Sequence, residues 1–317
     1  MQEKVQIAID EIATVLLGKD NEIRLALCCL LSGGHLLIED LPGMGKTTLA
    51  QSLARVFGLA FNRIQFTSDL LPADILGVSV FEPQSGNFNF HQGPIFSQLV
   101  LADEINRATP KTQSALLEAM EEGQVTVEGE TRLLPRPFFV IATQNPVTLA
   151  GTFPLPESQL DRFLMRLKIG YPDPGAERRL LETIGERNGA AQIRSCFTQD
   201  DLLQLRQNSA TVSSSKFLLD YVQRLIACTR DGAQFHCGLS PRGSIALVRA
   251  AKTWAWMEGR DHIIPEDVQA VFASVVEHRL QAHRDGRIGS GGTKGGLNGG
   301  LNVSTLSNHI LNTVDVF

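Results

Sequence analysis

The first half of the chain alternates between short apolar runs and longer stretches with helical spacing. Short apolar runs are typical of strands buried inside a sheet, whereas helices place an apolar residue every three or four positions. The runs that predict strands are residues 35–38, 60–66, 98–104, 138–143 and 164–169. The stretches that predict helices include residues 4–17, 22–31, 49–57 and 110–122. Strands alternating with helices indicate an α/β fold whose core is a parallel sheet flanked by helices.

Two further segments alternate polar and apolar residues around Pro or Gly, which is typical of β-hairpins. The first pairs residues 78–81 with 88–90, and the second pairs residues 124–127 with 131–134. Phe88 and Phe90 are candidates to contact a partner protein. Hairpins that merely extend the sheet, with no binding role, explain the same pattern.

The strand pattern stops at residues 170–175, and residues 176–281 follow a helical period. We therefore predict a core domain over residues 1–172 and a small all-α lid domain over residues 173–284. Eight glycines fall between Gly286 and Gly300, a composition whose ordering costs much entropy. Residues 285–317 are expected to form a Gly-rich flexible C-terminal tail, although its end, from Leu306 to Phe317, is apolar enough to dock.

A glycine-rich turn joins the first predicted strand of the sheet to a helix. Gly43 and Gly45 let the backbone turn so that its N–H groups point at phosphate oxygens. Lys46 can reach the β- and γ-phosphates, and the Thr47 hydroxyl can ligate Mg²⁺. The residues expected to bind the nucleotide are Asp40, Pro42, Gly43, Met44, Gly45, Lys46, Thr47 and Thr48.

This turn departs from the phosphate-loop consensus G-x-x-x-x-G-K-[ST] at one position, because Asp40 stands where the first glycine should be. That glycine eases entry into the turn, and aspartate tolerates unusual backbone angles better than most residues. An ordinary glycine-rich turn is the alternative, but Gly45-Lys46-Thr47 and the flanking strand and helix favour a phosphate loop.

Two carboxylates, Asp103 and Glu104, end the third predicted strand. Ligands bind at the carboxyl ends of parallel strands, so both should face the nucleotide. Asp103 fits a role in holding Mg²⁺ through its waters, and Glu104 fits the base that polarises the attacking water. A solvated acidic pair opening a loop is the alternative explanation.

Three further polar residues are candidates for contact with the phosphates. Asn145 follows the strand at residues 138–143 and could lie between the carboxylates and the γ-phosphate. Arg162 closes a short helix, and Arg242 begins a helix of the lid, where Ser240 can act as the N-cap. Arginine donors stabilise the charge that builds up during phosphoryl transfer. The alternative interpretation is that Asn145 only forms a turn and that Arg162 and Arg242 are ordinary surface residues.

Composition narrows the class of protein. Hydrophobic residues make up 43% and charged residues 20% of the chain, and no apolar run approaches the roughly 20 residues that span a bilayer. Five cysteines without C-x-x-C spacing argue against disulfides and a structural zinc. We expect a cytoplasmic protein without a membrane span. The net charge of −5 argues against a nucleic-acid partner.

The chain resembles AAA+ ATPases and, more closely, the MoxR family. The resemblance covers residues 5–283 and rests on phrases that occur in the family's order: residues 39–47, 93–96, 101–108, 113–120, 142–146, 154–157 with 159–163, and 240–242. The Gly-rich tail lies outside it.

The resemblance implies a role for each matching position. Lys46 and Thr47 correspond to the Walker A pair, and Asp103 and Glu104 to the Walker B pair. Asn145 corresponds to sensor 1, Arg242 to sensor 2, and Arg162 to an arginine finger that acts on the neighbouring subunit, with Arg166 as the alternative finger. The hairpin at residues 78–90 resembles the helix-2 insert, and that at 124–134 the pre-sensor-1 hairpin.

The resemblance also implies an activity and partners. Similar proteins hydrolyse ATP with Mg²⁺, assemble as hexameric rings and act as chaperone-like partners of von Willebrand A domain proteins. A motor acting on nucleic acid, a magnesium-chelatase-like ATPase subunit and a nucleotide-gated scaffold are the competing interpretations. The acidic balance argues against the first of these, and the intact Glu104, Asn145 and Arg162 argue against the scaffold.

Overall fold

The computed structural model describes residues 2–84, 86–145, 151–182, 193–231, 235–282 and 303–316. The chain divides into two compact units, Met1–Gln207 and Asn208–Phe317. The boundary predicted between residues 172 and 173 falls earlier in the chain than this division, which lies within the helix Gln199–Ala210.

The first unit contains a central sheet, two hairpins and the helices that surround them. Its helices are α1 Gln2–Ala13, α2 Asp20–Leu31, α3 Lys46–Val56, α4 Pro72–Leu76, α5 Pro110–Glu122, α6 Glu157–Leu160, α7 Pro174–Glu182 and α8 Gln199–Ala210, whose last three residues belong to the second unit. Its strands are β1 Leu36–Glu39, β2 Phe61–Gln65, β3 Gly77–Glu82, β4 Asn87–Gln92, β5 Leu99–Asp103, β6 Gln124–Val127, β7 Glu130–Leu133, β8 Phe139–Gln144 and β9 Met165–Leu167.

The central sheet has the order β2-β5-β8-β1-β9, and all its neighbouring strands are parallel. Every residue of β5 is buried, as are the first five residues of β8. Helices cover both faces of a parallel sheet, which explains why these strands read as continuous apolar runs. The sheet confirms the predicted α/β fold, and it brings the carboxyl ends of β1, β5 and β8 to one edge.

Both predicted hairpins form, each as a separate antiparallel pair. In the first, β3 pairs with β4 and Phe81 stands opposite Phe88. In the second, β6 pairs with β7 through Glu128 and Gly129, whose φ angles of 54° and 82° suit a tight two-residue turn.

The second unit is mainly helical, with α9 Lys216–Arg230, α10 Pro241–Met257, α11 Pro265–Val276 and α12 Val303–Thr313. It also holds a short antiparallel pair, β10 Phe235–Cys237 with β11 Gln281–Ala282. The expected helical lid is confirmed. The short pair within it was not predicted, because strands of two or three residues are too short to show a period of their own.

Helix α12 corrects the expected extent of the flexible tail. Leu306 and Ile310 on this helix are buried, and Ser307 donates a hydrogen bond to Glu277 at 2.8 Å. Burial of an apolar helical face of this kind offsets the conformational entropy that the segment loses when it becomes ordered. Residues 283–302, which contain the glycine-rich part of the predicted tail, lie outside the described residues.

One prediction about stability concerns Gly34, which lies between α2 and β1. A Cβ atom added there would collide with the Cβ, Cγ and Cδ2 atoms of Leu164, which is 3% exposed. We expect Gly34→Ala to lower the free energy of unfolding by about 1–3 kcal/mol, because a packed core cannot accept the extra volume without strain. Urea denaturation of both proteins measures this, and equal midpoints and slopes would contradict it.

Candidate nucleotide-binding site

The glycine-rich turn begins directly after β1 and ends as α3 begins. Gly43 and Gly45 have φ angles of 84° and 88°, and Gly45 is the N-cap of α3. Side chains other than glycine rarely adopt these angles. The turn therefore leaves backbone N–H groups at the positive end of a helix dipole, which is the arrangement that binds phosphate.

Lys46 lies at the start of α3 and reaches back over the turn. Its Nζ atom donates hydrogen bonds to the carbonyl oxygens of Asp40 at 2.6 Å and Leu41 at 2.8 Å. Burial lowers the pKa of Lys46, and the nearby carboxylates of Asp40, Asp103 and Glu104 partly offset that shift. The ammonium group is thus held at the turn, close to three negative charges.

Asp40 supports the turn and does not line the pocket. Its Oδ1 atom accepts a hydrogen bond from the Leu41 N–H at 2.7 Å, and Oδ2 accepts one from the Gly170 N–H at 2.5 Å. The residue is only 8% exposed. The aspartate therefore replaces the usual glycine with a side chain that links the turn to the segment after β9.

The Asp103 carboxylate and the Glu104 backbone, at the end of β5, are held by the end of β8. The Thr143 hydroxyl donates to Asp103 Oδ1 at 2.6 Å and accepts from the Glu104 N–H at 2.9 Å. Glu104 has φ 57° and ψ 47°, a left-handed conformation that costs a non-glycine residue roughly 1–2 kcal/mol. Such strained residues often occur where a side chain must be aimed at a ligand.

The Glu104 carboxylate has two partners of its own. Gln65 Nε2 donates to Glu104 Oε2 at 2.9 Å, and Arg107 forms an ion pair with the same oxygen at 3.0 Å. These contacts fix the carboxylate at the edge of the sheet where β2 and β5 end.

A pocket of about 430 Å³ unites these groups. It is lined by Pro42, Gly43, Gly45, Lys46, Thr47, Thr48, Arg63, Gln65, Asp103, Glu104, Thr143 and Asn145. Most of the residues expected to bind nucleotide, together with Asp103, Glu104 and Asn145, thus come together. Asp40 and Met44 are not part of the lining.

Sequence reasoning missed three residues of this lining, Arg63, Gln65 and Thr143. The signal was present for Gln65 and Thr143, which are polar residues near the carboxyl ends of strands that were predicted from their apolar neighbours. Arg63 and Gln65 are two positions apart, so they point to the same face of β2.

The candidate arginines occupy different surroundings. Arg162 Nε pairs with Glu121 Oε2 at 3.0 Å, and the arginine side chain is 27% exposed. Arg166 pairs with Glu39 at 2.9 Å, where both side chains are largely buried. Neither arginine belongs to the lining of the described pocket. Arg242 lies in the first turn of α10 in the second unit, where Ser240 Oγ accepts from the Gly243 N–H at 3.0 Å as the expected N-cap.

The oxygen donors in the pocket fit Mg²⁺. Within the described ranges, no group of three or more His, Cys, Asp or Glu side chains could hold a metal by itself. Mg²⁺ commonly takes one or two protein oxygens and completes its shell with phosphate and water. Thr47 and Asp103, which line the same pocket, provide such a pair.

Over the same described ranges, no helix is long and apolar enough to cross a membrane.

Family models and relatives match most of the chain. A model described as the ATPase family associated with various cellular activities (AAA) matches residues 35–165, and one described as the AAA lid domain matches residues 228–290. The uncharacterized protein YeaC of Bacillus subtilis is 44% identical over 281 residues, which are 89% of this chain and 88% of that protein. Chaperone MoxR1 of Mycobacterium tuberculosis is 41% identical over 282 residues, 86% of this chain and 74% of that protein.

A solved structure supports the same assignment. The crystal structure of a candidate ATPase from Cytophaga hutchinsonii matches with a TM-score of 0.87 and 35% identity, covering 99% of this chain and 95% of its own. Together with the parallel sheet and the glycine-rich turn, these matches show that the chain belongs to the MoxR family of AAA+ ATPases.

Proposed function

We propose that this protein hydrolyses ATP to ADP and phosphate and uses the reaction to remodel a protein partner. The observation that carries the proposal is the single pocket in which Lys46, Thr47, Asp103, Glu104 and Asn145 meet. A phosphate-binding turn, oxygen donors for a metal and a carboxylate base are what hydrolysis of a nucleoside triphosphate requires.

Each residue of the pocket has a defined task in this proposal. The N–H groups of the turn and the Lys46 ammonium hold the phosphate oxygens. Thr47 and Asp103 would hold Mg²⁺, which neutralises charge on the phosphates when bound. Glu104 accepts a proton from the attacking water, and the Asn145 amide orients that water or the γ-phosphate.

The proposal includes a ring in which one subunit completes the site of the next. Arg162 lies outside the lining of its own subunit's described pocket and is paired with Glu121, partly exposed to solvent. An arginine placed this way can serve a neighbour across a head-to-tail interface, the type of contact that closes into rings. We therefore propose a homo-oligomer, a hexameric ring, with Arg162 as the finger. Arg242 is proposed to contact phosphate from the lid.

The partner is proposed to be a protein, and a von Willebrand A domain protein is the first candidate. The hairpins expose large apolar side chains, with Phe88 71%, Phe81 50% and Leu133 71% exposed. Exposed apolar clusters are typical of surfaces that bind other proteins. We propose that the protein acts in the cytoplasm on such a partner.

The proposal predicts that Lys46→Ala strongly weakens ATP binding. The alanine removes the only side-chain ammonium that lines the described pocket, so the affinity for ATP should fall at least about tenfold to a hundredfold. Titration with a fluorescent ATP analogue measures the dissociation constant. Lys111→Ala, which removes a lysine from the exposed start of α5, is the matched control and should bind like wild type. Unchanged binding by Lys46→Ala would refute the assignment of the turn.

A further inference from the structure

Arg63 makes the closest polar contact with the carboxylate that is proposed to hold the metal. From the middle of β2, it donates Nε at 3.2 Å and Nη2 at 2.5 Å to the same oxygen, Asp103 Oδ2. Nη2 also donates to Gln65 Oε1 at 3.1 Å. The Arg63 side chain is 48% exposed, whereas Asp103 is 11% exposed. The guanidinium therefore reaches from solvent into the pocket that Lys46 and Thr47 line.

These contacts leave little of Asp103 uncommitted. Its Oδ1 atom accepts from the buried Thr143 hydroxyl at 2.6 Å, and its Oδ2 atom accepts twice from Arg63. A cation that binds through Oδ2, directly or through a water molecule, must share that oxygen with the guanidinium or displace it. Two positive groups at one carboxylate also repel each other.

The surroundings allow Arg63 to move and prevent Asp103 from doing so. Arginine has a long side chain, and half of this one lies in solvent. Asp103 belongs to the fully buried β5, and Thr143 fixes its other oxygen. When a cation competes for Oδ2, the guanidinium is thus the group that gives way.

We propose that Arg63 competes with Mg²⁺ for Asp103 and thereby sets the Mg²⁺ concentration at which the pocket binds the metal–nucleotide complex. This inference rests on the proposed function, because it assumes that the pocket binds ATP. Arg63 is a positioning residue in this account, since it acts on the reaction through Asp103.

The test is a Mg²⁺ titration of ATP binding. A fluorescent ATP analogue is bound to the full-length protein in EDTA, MgCl₂ is added stepwise, and the concentration giving half of the Mg²⁺-dependent signal is recorded. Arg63→Gln removes the competing charge, so this concentration should fall about tenfold, the effect of losing one charge-assisted contact. Arg63→Lys keeps the charge without the two-donor fork and should fall between Arg63→Gln and wild type.

Two controls separate competition from a structural role. Arg178→Gln removes the same charge from α7, where Arg178 pairs with Glu182 in an exposed position, and should titrate like wild type. Thermal melting without nucleotide reports whether the variants are folded. A merely structural pair between β2 and β5 would change the melting temperature and leave the Mg²⁺ midpoint in place.

The Mg²⁺ midpoint of Arg63→Gln tests the competition, and ATP binding by the wild type tests the proposed function. An unchanged midpoint in Arg63→Gln, or one shifted to higher Mg²⁺, would overturn the competition while leaving the proposed function standing. If wild-type protein bound no ATP analogue at any Mg²⁺ concentration, the proposed function would fail and this inference with it.

Discussion

Replacing Glu104 by Gln should leave ATP binding intact and lower the rate of hydrolysis by about a hundredfold to ten-thousandfold. Glutamine has the same shape as glutamate and can still bond to Gln65 and Arg107, which hold this side chain at 2.9 Å and 3.0 Å. It cannot accept the proton of the attacking water at neutral pH, because its amide is a very weak base. Phosphate release measures the rate, and the fluorescent ATP analogue measures the affinity.

Glu182→Gln makes the same chemical change at an exposed residue of α7 and should turn over ATP like wild type. If Glu104→Gln retained more than about half of the wild-type rate with unchanged affinity, a general base other than Glu104 would be required.

Replacing Arg162 by Ala should lower hydrolysis by about a thousandfold or more, the usual effect of removing an arginine finger. ATP binding should change little, since Arg162 does not line the described pocket of its own subunit. The loss should also leave the fold nearly unchanged, because a partly exposed ion pair such as Arg162–Glu121 contributes about 0–1 kcal/mol to stability.

Two matched variants separate this role from its alternatives. Glu121→Gln breaks the same ion pair but keeps the arginine, and should hydrolyse ATP at close to the wild-type rate. Arg166→Ala tests the alternative finger. Because Arg166 is paired with Glu39 in a largely buried position, its removal should lower stability by about 3–5 kcal/mol. A larger rate loss in Arg166→Ala than in Arg162→Ala, with both proteins folded, would transfer the role to Arg166.

The sheet could be predicted from sequence because strands that are buried on both faces consist of continuous apolar residues. Strands β5 and β8 lie in the middle of the sheet and are nearly all apolar, so they stand out from their surroundings. The turn at Gly43 and Gly45 was predictable for a similar reason, since its φ angles restrict the residues that fit. Both signals, the apolar run and the glycine positions, lie within short segments of the chain, so a single sequence is enough to predict these elements.

Contacts between distant segments could not be predicted in the same way. Arg63 and Asp103 are forty positions apart and meet only because β2 and β5 are neighbours in register. The link from Asp40 to the Gly170 N–H likewise depends on how the turn lies beside the segment after β9. The pair of β10 and β11 was missed because short strands carry no periodicity. In each case, the sequence shows the residue but not its partner.

The central claim is that one subunit grips ATP while its neighbour supplies the arginine that completes hydrolysis. It is tested most directly by mixing Lys46→Ala protein, which keeps Arg162, with Arg162→Ala protein, which keeps its own pocket. Each should be almost inactive alone. Random mixing in equal amounts should restore about a quarter of the wild-type rate, the share of head-to-tail interfaces that combine an intact pocket with an intact arginine. A mixture no more active than its two components would contradict the claim.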